Sequence, residues 1–192
     1  MGKKTIHDYD LLSLHIGFIE DEEANYWQII EEKSIQVPHE DYDAETKLNP
    51  EQKVVFTIII ERINLRRSVF FIDGPRATSK TFLSRALLAQ MRSRHLIALA
   101  TETSDIVAAI LSRGRTTHSR FILPLNPNDT DFCDFLKQDR IVELLREESL
   151  IIWDEASIEK RFVIEMVDRT LRNIMDSTSF FLYTIVGCNP WK

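Results

Sequence analysis

Ser68-Val-Phe-Phe-Ile-Asp73, then Gly74-Pro-Arg-Ala-Thr-Ser-Lys80-Thr81, then Phe82-Leu-Ser-Arg85 is the stretch that decides the fold. The β-branched and aromatic run before Gly74 predicts a short buried strand. The residues after Lys80 open a helix. Between the two lies the outline of a phosphate-binding loop, Gly-x-x-x-x-Gly-Lys-[Ser/Thr]. Such a loop aims backbone N–H groups and a helix N-terminus at nucleotide phosphates. On that reading Gly74, Pro75, Arg76, Ala77, Thr78, Ser79, Lys80 and Thr81 form the cradle. Lys80 reaches the terminal phosphates and the Thr81 hydroxyl faces Mg²⁺. The octet departs from the motif at Ser79, which stands where glycine is wanted, and Arg76 and Ala77 fill the middle of the loop. A side chain at a left-handed position costs about 1–2 kcal/mol and crowds the phosphates. A plain strand-to-helix turn with a solvated lysine is the competing reading.

Working outward, the 192 residues suit one domain with a real core, and the 44% hydrophobic content excludes wholesale disorder. No apolar run reaches the roughly 20 residues of a membrane span. His7, Asp8 and Asp10 break any signal-peptide core. These features predict a nuclear or cytoplasmic protein with no membrane partner. Cys133 and Cys188 are too few for a disulfide framework or a zinc knuckle, and the five histidines are scattered. Residues 1–50 carry 4 Lys/Arg against 12 Asp/Glu (net −8), whereas residues 51–192 carry 20 against 18 (net +2). The acidic balance belongs to the leader, and the mildly basic body permits a polyanionic partner.

Residues 1–47 read as an acidic leader, a surface extension docked by a few aromatics, with a short helix over Tyr26 to Lys33 and acidic loops at Glu20–Glu23 and Glu40–Glu45. Residues 48–192 read as the folded domain. Asn49, Pro50 and Gln52 begin a long helix with an N-cap, a first-turn proline and a capping box. Two readings of Gln52 stay open here, a cap and a contact to an adenine edge. Leu96 to Thr101 is a second apolar strand. Thr103 to Asp105 is a turn, followed by a short helix that ends at Gly114. The run from Gly114 to Phe121 is dense in hydroxyls and arginines. It fits either phosphate contacts or a polar loop.

Ser149 to Trp153 is a third apolar strand and ends in Asp154-Glu155. In phosphate-loop proteins such an Asp holds Mg²⁺, usually through water, and a following Glu orients and deprotonates the attacking water. Asp154 is therefore the candidate metal residue with Thr81, and Glu155 the catalytic base beside Lys80. A helix N-terminus favouring acids is the bland alternative. A long helix over Lys160 to Asp176 and a strand over Phe180 to Val186 complete the alternation. Strands alternating with helices predict an α/β fold, a mainly parallel sheet with helices on both faces.

The run from Leu48 to Met175 resembles the Pif-type superfamily-one DNA helicases, especially the plant and fungal group related to Helitron transposons. Leu48-Asn-Pro-Glu-Gln52 is similar to their glutamine motif, and Gly74 to Thr81 to their Gly-Pro-Gly-Gly-Thr-Gly-Lys-Thr. Ser104-Asp-Ile-Val-Ala108, Gly114-Arg-Thr-Thr-His-Ser-Arg-Phe-Ile-Leu-Pro-Leu125, Leu150-Ile-Ile-Trp-Asp-Glu-Ala156 and Asp168-Arg-Thr-Leu-Arg172 resemble further family segments. The resemblance implies a RecA-like ATPase domain that uses ATP and Mg²⁺ to unwind DNA, moving five-prime to three-prime on single-stranded DNA. It implies roles in DNA repair, recombination and telomere maintenance. It also turns Gln52 toward adenine recognition and Arg115, Thr116, His118 and Ser119 toward single-stranded DNA.

Three departures qualify the match. Glycine is missing at positions 76, 77 and 79. Asp105 replaces a family glycine. Past Met175 the family's Gly-Gly-Asp-Phe-Arg-Gln is reduced to Gly187-Cys188-Asn189. The second RecA-like domain, with its arginine finger, is expected to be absent. The sequence thus predicts a truncated first domain that binds ATP and turns it over slowly. A nucleotide- or DNA-binding module without catalysis, or a remnant that binds neither, are the alternatives.

Overall fold

The computed structural model describes residues 21–63, 69–72, 80–103, 111–126, 128, 130–175 and 184–187. Among these, β1 (Phe70–Ile72), β2 (Ile97–Glu102), β3 (Arg115–Thr116), β4 (Glu148–Asp154) and β5 (Thr184–Gly187) form one sheet in the order β1-β5-β4-β2-β3. Every pair in it is parallel. The helices are α1 (Asp21–Lys33), α2 (Pro50–Ile63), α3 (Lys80–Ser93), α4 (Thr117–Phe121), α5 (Arg140–Glu147) and α6 (Arg161–Ile174). This is the α/β architecture that the alternation predicts.

The central strands are apolar along their length because both faces are covered. Register sorts their side chains. Ala98, Ala100, Leu150 and Ile152 point to the face of α2 and α3, packing with Phe56, Ile59, Leu83 and Leu87. The small side chains at Ala98 and Ala100 leave room for α3 to lie close to the sheet. Ile97, Leu99, Ile151 and Trp153 point the other way, against Val142 and Leu145 of α5 and Val163, Met166 and Val167 of α6. Phe121 and Trp153 pack with ring centroids 5.7 Å apart. Cys133 is buried as a free thiol, and burial pushes it up to about 11.

Two expectations need correction. The strand before the phosphate loop is not buried. Among the described strands β1 pairs only with β5 and lies at the edge. Phe70 and Ile72 rest against the α2–α3 cluster, but Phe71 faces the opposite side, where α5 and α6 cover β2 and β4, and it is 56% exposed. The leader is also more regular than expected. Asp21 to Glu23 begin α1, and the second acidic run folds into two 3-10 turns, His39–Asp41 and Glu45–Lys47. Among its described aromatics, neither Trp27 nor Tyr42 is buried. Trp27 is 64% exposed, whereas Ile29 enters the core on the α6 side and Ala44 and Leu48 enter the core on the α3 side. The turn Thr103–Asp105 and the helix expected after it fall mostly outside the described residues.

Charge completes the docking. Arg85 of α3 pairs with Glu40, and at 2.7 Å with the buried Asp41. Arg120, 1% exposed, pairs with Glu32 of α1 at 3.3 Å. Burial pulls the Arg120 guanidinium below the usual arginine value, and Glu32 opposes that pull. Removing one partner of a buried pair strands the other, at about 3–5 kcal/mol. An exposed pair such as Arg161–Glu165, with the Arg161 side chain 92% exposed, contributes below about 1 kcal/mol. Urea denaturation should therefore show a large loss for Glu32→Ala and almost none for Arg161→Ala. Equal losses would mean that α1 is not held by this pair.

Candidate nucleotide and DNA site

In a parallel sheet every strand ends at the same edge, and α/β proteins bind ligands there. Asp154 closes β4, and Lys80 opens α3, the helix that follows β1. The two lie on strand–helix units separated in the sheet by β5. Even-numbered positions of β4 face α3, so Asp154 continues the row of Leu150 and Ile152 toward the start of that helix. Asp154 is 5% exposed. Burial raises its carboxyl above the usual aspartate value. The Glu155 N–H, which donates to Asp154 Oδ1 at 3.0 Å, and the charge of Lys80 both oppose the rise. Lys80 and Asp154, chosen from separate motifs, are thus within electrostatic reach of one another. Thr81 follows Lys80 in the first turn of α3.

Glu155 sits in a left-handed conformation, φ 57° and ψ 23°. A non-glycine residue there stores about 1–3 kcal/mol and persists only where its surroundings hold it. Its carbonyl accepts from Thr103 Oγ1 at 3.2 Å and from Ile158 N at 2.9 Å. The backbone at the expected base is therefore clamped from β2 and from the following 3-10 turn, Ala156–Ile158.

The cradle residues Gly74, Pro75, Arg76, Ala77, Thr78 and Ser79 lie outside the described residues. Gln52 forms the capping box: Gln52 N donates to Asn49 Oδ1 at 2.8 Å, and Asn49 N donates to Gln52 Oε1 at 3.0 Å. The segment expected at DNA is a strand and a short helix. Arg115, His118 and Ser119 are exposed at that junction. Thr116 caps α4, its Oγ1 accepting from Ser119 N at 3.3 Å. Thr117 and Arg120 of the same segment are buried, so only part of it can meet a ligand.

One buried acid at this edge escaped the sequence reading. Glu102 closes β2 opposite Asp154, 1% exposed. Burial first, then the charges of Asp154 and Glu155, push its carboxyl up to about 8. The signal that could have found it is the one that found Asp154, an acid at the end of an apolar strand.

The PIF1-like helicase family matches residues 47–188. The chain belongs to that family. Solved Pif1 helicases share the fold. A Bacteroides Pif1 in complex with ADP-AlF3 and single-stranded DNA has 24% identity and a TM-score of 0.58 over 74% of this chain and 32% of that one. A Candida albicans Pif1 has 18% identity and a TM-score of 0.57 over the same shares. A structure of two coordinating Pif1 helicases at forked double-stranded DNA has 24% identity and a TM-score of 0.57 over 73% of this chain. The chain spans about a third of the length of these helicases, and the part matched is their RecA-like fold. No curated protein matches. No described helix is long and apolar enough to cross a membrane.

The carboxyl edge of β2 and β4 carries a measurable pH signature. The folded chain favours a protonated Glu102. The stability from this group is fully present below pH 4.5 and is lost as pH rises through about 8. In metal-free buffer, Glu102→Gln should gain melting temperature relative to the unsubstituted chain as pH climbs through that window. A difference independent of pH would contradict the placement of Glu102 beside Asp154.

Proposed function

We propose that this PIF1-like helicase chain is an ATP- and Mg²⁺-binding RecA-like domain that works on single-stranded DNA. The observation that carries the reading is the buried Asp154 carboxyl at the carboxyl edge of the sheet, on which the charge of Lys80 at the start of α3 acts. Lys80 would hold the terminal phosphates of ATP. Thr81 and Asp154 would hold the cation, whose contribution when bound is to neutralise phosphate charge. The buried Asp154 carboxyl and the two unpartnered oxygens of Glu102 suit a hard cation. Glu155, clamped through its carbonyl, would orient a water and accept its proton. Gln52 would meet adenine, using its side chain from the first turn of α2. Arg115, Thr116, His118 and Ser119 would contact the DNA backbone. Residues 1–47 would be an accessory leader and 48–192 the first RecA-like domain of a helicase. A DNA motor of this class would act in the nucleus or cytoplasm, in repair, recombination or telomere maintenance.

One feature points to slow turnover. Arg76, Ala77 and Ser79 put side chains where the backbone should approach phosphate. Binding without efficient hydrolysis is thus the second reading.

Calorimetry with Mg²⁺-ATP should show binding that Lys80→Ala weakens about 10- to 100-fold, the value of a charged hydrogen bond. DNA-stimulated ATP hydrolysis should be slow, and Glu155→Gln should remove what there is. Brisk hydrolysis abolished by Glu155→Gln would show that the glycine substitutions are tolerated. Equal heats for wild type and Lys80→Ala would sink the nucleotide site. For single-stranded DNA, Arg115→Ala should lower the slope of log affinity against log salt by about 0.7, one phosphate contact. An unchanged slope would remove Arg115 from the interface.

A further inference from the structure

Glu102 closes β2 as a buried carboxyl group with no protein partner for its side chain among the described residues. It is 1% exposed, and neither Oε1 nor Oε2 has a hydrogen-bond partner. A buried carboxylate left so is costly, and such groups ordinarily pair or coordinate metals. Two nearby hydroxyls, those of Thr103 and Thr117, are committed to the main chain. Thr117 Oγ1 donates to the Glu102 carbonyl at 3.1 Å, and Thr103 Oγ1 donates to the Glu155 carbonyl.

Register says where the carboxylate points. Glu102 stands opposite Asp154 on β4 and opposite Thr116 on β3. It extends the row of Ala98 and Ala100, which faces α3, and Lys80 opens that helix. Adjacent strands lie about 4.8 Å apart, a spacing at which two carboxylates can serve one ion. Among the described residues no set of three or more His, Cys, Asp or Glu could hold a metal unaided. The pair therefore needs phosphate oxygens and water to complete a shell. That is the habit of Mg²⁺, which takes one or two carboxylates beside substrate phosphates and keeps several waters.

We propose that Glu102 is a second carboxylate of the divalent-cation site, holding with Asp154, directly or through water, the cation that accompanies nucleotide phosphates. The proposal rests on the nucleotide-site reading above and adds a residue to it. It gives the orphaned oxygens of Glu102 a ligand.

The test uses the full chain with Mn²⁺ as probe and a non-hydrolysable ATP analogue, free Mn²⁺ being read by electron paramagnetic resonance. Glu102→Gln should weaken Mn²⁺ binding about tenfold or more, the scale seen when groups supporting a metal are removed. Asp154→Asn should weaken it at least as much. Binding of the analogue in EDTA should be unchanged by Glu102→Gln, which separates a metal role from a general loss of the pocket. Far-ultraviolet circular dichroism checks folding. Glu102→Asp keeps the charge on a shorter arm and should recover part of the affinity. It also serves as the comparison if Glu102→Gln does not fold. Unchanged Mn²⁺ affinity in the Glu102 variants, with loss in Asp154→Asn, would overturn this proposal and leave the nucleotide site standing. If the unsubstituted chain took up no Mn²⁺ with the analogue, both would fall.

Discussion

Carboxyl groups buried at the ends of β2 and β4 are the constraint on which the rest of this structure depends. Parallel pairing sets Glu102 directly opposite Asp154, with Glu155 one residue on. Water is largely excluded from the first two. Burial disfavours the ionised form of a carboxyl and is the main reason that both groups move upward, the charges of Asp154 and Glu155 adding to the rise at Glu102. Such an edge is poorly stabilised by itself and receptive to positive charge. The charge of Lys80 already acts on Asp154, and a divalent cation would add to it.

The fold delivers that lysine through packing rather than through contacts at the site. Alanines at 98 and 100 let α3 approach the sheet, and Leu83, Ala86 and Leu87 fill the space above them. Helix and strands then meet in a single register, so the first residue of α3 falls near the ends of β2 and β4. The same economy holds Glu155. Its left-handed backbone is kept by a hydroxyl from the neighbouring strand and by the turn after it. Strain at the proposed catalytic carboxylate is thus carried by main-chain bonds, which leaves its side chain available.

On the far side of β2, α1 joins the acidic leader to the segment proposed to meet DNA. Glu31 reaches Arg113 at 2.8 Å and Glu32 reaches the buried Arg120. These pairs flank Arg115, His118 and Ser119 without engaging them. Alternate residues of one basic run therefore have different work. Arg120 is structural, while Arg115 stays at the surface.

The chemistry of this protein was written in local patterns. A β-branched run before a Gly…Lys-Thr octet, an apolar strand closing on Asp-Glu, and alternating strands and helices determined the α/β class and the family segments, and they pointed to Lys80, Thr81, Asp154 and Glu155 as the proposed site. Each depends on neighbours in the chain, so sequence suffices. Glu102 was legible in principle, as another acid closing an apolar strand, but only pairing with β4 shows that it faces Asp154 rather than solvent. The exposure of Phe71 depended on strand order, which places β1 at an edge among the described strands and has no local signature. The docking of α1 through Ile29 and Glu32 instead of Trp27 was decided by which face of that helix meets α5 and β2. Partners distant in the chain settle burial and charge pairing. Tertiary structure alone could therefore show which of many acids and arginines are solvated and which are held in the site or the core.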